Sequence, residues 1–178
     1  MDYYKQKLIR RLKVRSSELQ GELNHAETIF NEAAPLFCSE VSSYCSSNNL
    51  SNPLERDQDD KKEENQNLTD GFKSIFRKIA VQTHPDKFNQ EQPDLTEKYQ
   101  DAASAKKDKD VTKILSIAKE LKIDTNDISY DEIKLIEDSI SKTELKIHNL
   151  TNSYPWVWFF SSSKKRPTIV SEFVLNKV

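Results

Sequence analysis

The residues with the clearest chemical potential form one short segment, His84-Pro85-Asp86-Lys87. Its imidazole and its carboxylate offer hydrogen-bonding groups two residues apart, and the proline between them restricts the backbone that carries both. A catalytic use of this pair is disfavoured, because no nucleophile or third group lies at a recognisable spacing. We therefore expect a rigid contact loop, in a protein that is not an enzyme. An ordinary helix terminator followed by a turn is the alternative.

An amphipathic helix is predicted directly before this segment. Thr69 or Asp70 can cap its first turn, since a short oxygen side chain accepts from the free N–H groups there. Pro85 ends the helix, because the residue before a proline is pushed out of the α region. The apolar residues between these limits follow helical spacing and form one stripe: Phe72, Ile75, Phe76, Ile79 and Ala80.

The outer face of this helix is basic. Lys73 and Arg77 are four residues apart with Lys78 beside them, and Lys87 adds a further positive charge after the loop. Such a face suits an acidic patch on a partner protein, and the attraction between opposite charges would speed their encounter.

Two more helices are predicted after the loop. The first covers about residues 93–107, with Leu95, Tyr99, Ala102 and Ala105 facing inward. A polar break at 106–110 separates it from a second helix. The apolar stripe of that second helix consists of Val111, Ile114, Leu115, Ile117, Ala118 and Leu121. A turn is predicted at 124–127.

This order of basic helix, His-Pro-Asp loop and helix resembles the J domain of DnaJ-like co-chaperones over residues 68–123. The resemblance implies an antiparallel helical hairpin that docks on a DnaK-type heat shock protein 70 chaperone and stimulates its ATPase. It also implies the contact residues, which are His84, Pro85, Asp86, Lys87, Lys73, Arg77 and Lys78. A divergent J-protein subgroup has a later heptad helix and a Trp-containing end, which Tyr154-Pro155-Trp156-Val157-Trp158 resembles. The similarity to that subgroup extends from about residue 70 to about residue 160.

Some features depart from the family's pattern. Lys106 stands where many J domains place an aromatic core residue, and no first J helix with a leucine–glycine ending lies directly before Thr69. The chain also has no Gly/Phe-rich linker and no Cys-x-x-Cys repeat. These departures leave a second hypothesis open, a helical structural or assembly protein with a J-like fold and no chaperone partner.

Heptad-spaced helices are predicted on both flanks, over residues 1–37 and 131–153. Pro35 should break or end the first. The first seam contains Ile9, Leu12, Leu19, Leu23, Ala26 and Phe30. The second contains Ile133, Ile136, Ile140, Ile147 and Leu150. We expect the two seams to pack as an antiparallel, coiled-coil-like pair within a monomer, and a dimer through the same seams is the alternative.

The expected organisation has five parts. These are a heptad helix (1–37), a polar loop or linker (38–68), the J-like helices (69–123), a heptad helix with a Trp-rich end (124–160) and a tail (161–178). Within the tail, residues 167–178 suggest a short strand or a docking segment. The aromatic cluster at 156–160 should pack on the first helix, with a membrane-interface anchor as the alternative. Lys164-Lys165-Arg166 should be solvated, with phosphate contact or targeting as the alternative.

Composition supports an all-α protein, because Gly occurs only twice in 178 residues and strand-like alternation is almost absent. The net charge of −2 gives no global indication of nucleic-acid binding. With no signal-like N-terminus and no apolar run of about 18 residues, a cytoplasmic protein without a membrane span is expected. Cys38 and Cys45 should be free thiols. Together with His25, His84 and His148 they match no zinc spacing, so neither a metal nor a cofactor is expected.

Overall fold

The computed structural model describes residues 3–55, 68–87, 92–125 and 128–177, and all regular structure among them is helical. The all-α class is therefore confirmed for these residues. The helices are α1 (Tyr3–Ser47), α2 (Asp70–Thr83), α3 (Pro93–Asp108), α4 (Val111–Glu120), α5 (Tyr130–Thr151), α6 (Tyr154–Phe159) and α7 (Arg166–Lys177). Single 3-10 turns lie at Pro53–Glu55 and Pro85–Lys87. Within this described part, no helix has both the length and the apolarity to cross a membrane.

The predicted end of the first helix near Pro35 is wrong. Helix α1 contains Pro35 and runs on to Ser47, so residues 38–47 are helical rather than part of a polar loop. Proline removes one helical hydrogen bond, but Pro35 and Asn31, whose carbonyl loses that donor, are both exposed to water. The helix persists because its apolar stripe continues beyond the proline to buried Val41 and Cys45.

The chain divides into two compact units. The first unit comprises residues 1–22 and 64–144, and the second comprises residues 23–63 and 145–178. Helices α1 and α5 contribute residues to both units.

The core of the first unit is built from the stripes expected of α2 and α4. Helices α2, α3 and α4 pack on one another, and α3 presents the small buried side chains Ala102 and Ala105 at these contacts. Leu95 and Tyr99 of α3 are half-buried. The fully or almost fully buried apolar residues of α2 and α4 are Phe72, Ile75, Ile79, Val111, Ile114, Leu115, Ile117 and Ala118.

Helices α3 and α4 are joined by Lys109 and Asp110 alone. Lys109 has a left-handed backbone (φ 58°), and the Asp110 N–H closes the end of α3 by donating to Ala105 O at 2.8 Å. The Asp110 carboxylate then accepts from the Lys113 N–H at 2.9 Å and caps the start of α4. One residue thus ends one helix and begins the next.

The two flanking helices run in the same direction where they meet in the first unit. Lys5 Nζ lies 5.6 Å from the centre of the Tyr130 ring, and ten residues further along α1, Arg15 pairs with Glu144 at 2.8 Å. Residue numbers therefore increase in the same direction along α1 and α5, so the two helices are parallel here. The antiparallel orientation expected for the two seams is wrong in this unit, although several seam residues are buried: Ile9, Leu19, Ile133, Ile136 and Ile140.

The second unit has an aromatic core around Trp158. The Trp158 ring meets the Phe37 ring edge-on at 6.0 Å, and Phe37 meets Phe173 at 5.2 Å. Val41, Cys45, Val170 and Val174 complete the buried cluster. The expected packing of the aromatic segment on the N-terminal helix is confirmed for Trp158.

The strand considered for residues 167–178 is wrong, because Arg166–Lys177 is a helix. Val170 and Val174 lie one turn apart and are both buried, so the burial of one face outweighs the β preference of branched residues. Arg166 is not a solvated tail residue either. Its guanidinium lies 4.5 Å from the Trp158 ring and donates to Phe159 O at 2.9 Å, at the end of α6.

A buried carboxylate in the first unit ties the start of α2 to the start of α5. Glu132 is buried, and its Oε1 accepts hydrogen bonds from the Thr69 hydroxyl and from the Gly71 N–H, the latter at 2.9 Å. Its Oε2 accepts from the Ser129 N–H at 2.7 Å, while Ser129 Oγ accepts from the Glu132 N–H at 3.2 Å. This reciprocal pair is a capping box, and the same carboxylate also caps α2.

The close approach of this carboxylate requires a glycine at position 71. A Cβ there would lie 2.7 Å from Glu132 Cδ, so Gly71→Ala should lower the melting temperature although alanine is the better helix former. Gly21 is the matched control, since a Cβ at that position meets nothing within 4 Å. Gly21→Ala should raise stability by up to about 1 kcal/mol. Thermal unfolding measures the melting temperature of both variants. An equal rise in Gly71→Ala and Gly21→Ala would contradict the close approach of the Glu132 carboxylate to position 71.

Candidate partner-binding site

The end of α2 gives the histidine loop a fixed exit direction. Buried Thr83 turns its hydroxyl back to Ile79 O at 2.9 Å, and the His84 N–H donates to Ala80 O, also at 2.9 Å. His84 then takes an extended backbone (φ −64°, ψ 127°), as expected before proline. The following single turn is closed by the Lys87 N–H, which donates to His84 O at 3.1 Å.

The His84 side chain is held on two sides. Its ring meets the Tyr99 ring of α3 edge-on, with centres 4.8 Å apart and planes at 72°. Its Nδ1 accepts from the Asp86 N–H at 3.3 Å, so the proton of the neutral ring is on Nε2. The Asp86 carboxylate lies 3.6 Å from Nδ1 but is 86% exposed. The loop thus combines a positioned imidazole with a carboxylate that faces solvent.

The four predicted lysine and arginine contacts do not form one patch. Lys73 pairs with Asp70 at 3.0 Å, whereas Arg77 and Lys87 are exposed. Lys78 is on a different flank, since about 100° separates successive residues of a helix, and its Nζ donates to Asp124 O at 3.2 Å. Lys73 and Arg77 therefore share the outer face, while Lys78 braces the chain after α4.

Two side chains at this site were not predicted as contacts. Val81 lies one turn after Arg77 and is 60% exposed, which puts an apolar group beside the guanidinium on the outer face. Tyr99 was assigned to the inward stripe of α3, but its ring also supports His84. The i, i+4 spacing from Arg77 was the available signal for Val81. No local signal pairs Tyr99 with His84.

Lys106 does not enter the core as an aromatic residue would at this position. It is exposed, and its Nζ lies 4.4 Å from the centre of the Phe76 ring. A cation over the face of an aromatic ring is an attractive arrangement. Lys106 therefore joins α3 to α2 from the surface.

Comparisons with protein-family models, with curated proteins and with solved structures found no match to this chain. Across residues 3–55, 68–87, 92–125 and 128–177, no three His, Cys, Asp or Glu side chains are grouped as metal ligands. Cys38 and Cys45 are free thiols, and Cys45 is buried.

Electrostatics fix the N-terminal end of the helix that carries the site. Burial by itself would raise the pKa of Glu132, but the hydrogen bonds from Ser129, Thr69 and Gly71 lower it and prevail. The pKa of this carboxyl therefore lies below its ordinary value of 4.5. Two helix N-termini, each with partial positive charge, favour the ionised form as well.

Acid should weaken the link that Glu132 forms between the start of α2 and the start of α5. A lowered folded-state pKa contributes stability that is complete above about pH 4.5 and is lost as pH falls through the folded-state value. Glu132→Gln should cost about 1–3 kcal/mol at neutral pH and should flatten the decline of stability in acid. Urea unfolding at several pH values measures both effects. Exposed Glu137, on the same helix, supplies the control Glu137→Gln, and an unchanged acid slope in Glu132→Gln would contradict the role of this carboxylate.

Proposed function

We propose that this protein is a J-domain-like co-chaperone, which docks on a DnaK-type heat shock protein 70 chaperone and stimulates its ATPase. The observation that carries the proposal is the loop at residues 84–87. There, His84 is positioned against Tyr99 and Asp86 is exposed, at the end of a helix with a basic outer face. The protein would act in the cytoplasm as a monomer.

The contacts between α2 and α3 support a J-like antiparallel hairpin. Phe76 of α2 comes before His84, which directly follows that helix. On α3 the order is reversed, since Lys106, the partner of Phe76, comes after Tyr99, the partner of His84. This reversal is what occurs when a chain turns back on itself. The buried seams of α1 and α5 would provide a coiled-coil-like framework for the hairpin, with both helices in the same direction.

The proposed mechanism is conformational. ATP chemistry belongs to the chaperone, and this protein would favour one state of the chaperone by binding it more tightly than the other. Asp86 and the Nε2–H of His84 would supply directional contacts, while Arg77 and Lys87 would attract an acidic surface. Val81 would add apolar contact area beside Arg77.

A structural or assembly role without a chaperone partner is the second candidate. Lys106 lies over the Phe76 ring, at a position where many J domains have an aromatic core residue. This departure from the J-domain pattern favours the structural or assembly role. The two candidates differ in whether the exposed loop has a function.

The first functional prediction concerns His84. The purified protein should accelerate ATP hydrolysis by a DnaK-type chaperone in a single-turnover assay, and His84→Gln should abolish the acceleration, because glutamine cannot replace the ring held against Tyr99. His25→Gln, at an exposed histidine of α1, is the matched control and should retain full activity. Circular dichroism should show both variants folded. Equal stimulation by His84→Gln and the unaltered protein would favour the assembly role.

The second functional prediction concerns the basic face. Arg77→Glu should slow association with the chaperone severalfold, since exposed charges act mainly on the rate of encounter. Added salt should slow the unaltered protein, because the Debye length is only about 10 Å at 0.1 M salt. Lys134→Glu, at an exposed position of α5, carries the same charge change away from the loop. Stopped-flow binding measures the association rates of the unaltered protein, of Arg77→Glu and of Lys134→Glu at several salt concentrations. A rate that depends neither on salt nor on Arg77 would exclude the basic face as the contact surface.

A further inference from the structure

A second basic surface lies in the first unit, away from the histidine loop. It is a groove of about 640 Å³ between the N-terminal part of α1 and the segment that ends α4. Its charged lining consists of Arg10, Lys13, Lys119 and Lys122, and none of its eight described lining residues is acidic. Its apolar lining consists of Ile9, which is buried, and Val14, which is exposed.

The walls of this groove are held in place by specific contacts. Lys13 Nζ donates to Ile123 O at 2.7 Å, and Lys78 of α2 braces the next carbonyl, Asp124 O. Lys122 has a left-handed backbone (φ 55°), and the Ile123 N–H donates to Ala118 O at 2.8 Å, which closes the end of α4. A groove fixed before binding loses little conformational freedom when a ligand enters.

The charges of the groove are poorly compensated. Among the residues that the structure describes, Arg10, Lys119 and Lys122 form no ion pair with a carboxylate. Burial lowers the pKa of Lys13, although the neighbouring Asp124 carboxylate acts to raise it. A bound anion would favour the charged form of Lys13 and so offset the effect of its burial.

We propose that this groove is a docking site for an acidic peptide segment of a partner protein. Carboxylates of the peptide would pair with the exposed side chains of Arg10 and Lys122, and an apolar side chain of the peptide would cover Val14. The proposal is independent of the chaperone role, since it uses none of the residues 84–87.

The chemistry of the lining favours a peptide over a nucleic acid. Single-stranded nucleic acid is held by aromatic side chains that stack on its bases, and no described residue of the groove is aromatic. A specific duplex interface typically buries about 1,000 Å² or more of protein surface, whereas this groove is lined by eight described residues. Exposed Val14 suits an apolar side chain that lies between the acidic residues of a peptide.

The test is fluorescence anisotropy with a short labelled peptide of glutamate, aspartate and leucine. The full-length protein should bind it, with an affinity that salt weakens. Arg10→Glu combined with Lys122→Asn should lower the affinity about tenfold or more, because two charged contacts are lost. Asparagine tolerates the left-handed backbone at position 122, so the fold is preserved.

A matched control distinguishes binding in the groove from a general effect of the protein's charge. Lys7→Glu combined with Arg11→Gln makes the same charge change on exposed residues of α1 that do not line the groove, and should change the affinity by less than about threefold. Equal losses in both double variants, or equal binding of a peptide with glutamine and asparagine in place of its acids, would overturn the proposal. Tighter binding of an oligothymidylate of equal charge, lost in the groove variant, would replace it with a nucleic-acid site.

Discussion

A single buried carboxylate determines where the site-bearing helix begins. Glu132 accepts hydrogen bonds from the first turns of α2 and α5, two segments about sixty residues apart in sequence. An ionised carboxylate is expensive to bury alone, but here it replaces water for several N–H and O–H groups that need an acceptor. Because α2 is anchored at its start by Glu132 and along its length by the core, its other end presents His84 in one place.

The parts of the fold that local pattern decides were predicted well. Helices α2 and α4 carry apolar stripes with helical spacing, and those stripes are buried. Pro35 shows the opposite case. The rule that proline ends a helix is local, whereas the buried stripe on both sides of it is a tertiary effect that the local rule ignores. Helix α7 is similar, since Val170 and Val174 prefer strands weakly but gain more by burial on one helical face.

Several helix ends could not be predicted from the sequence, because the usual glycine signal is missing. Asn49, Lys109 and Lys122 all have the left-handed backbone that glycine usually supplies, and the chain contains only two glycines. A reader of the sequence sees ordinary polar residues at these points. The loop at residues 84–87 could be located because its proline and charges are contiguous. The support of His84 by Tyr99, the exposure of Val81 and the basic groove depend on how distant segments meet, and no local pattern encodes them.

The junction at Asp110 has a consequence for how the first unit loses its structure. Its N–H closes α3 and its carboxylate opens α4, so no slack chain separates the two helices. A helix that is linked to its neighbour by a flexible loop can fray alone, at a small cost in free energy. Here, unwinding the end of α3 also frees the residue whose carboxylate accepts from the first turn of α4. We therefore expect the two helices to open together, as one cooperative segment, and the corner between them to transmit a displacement of either helix to the other.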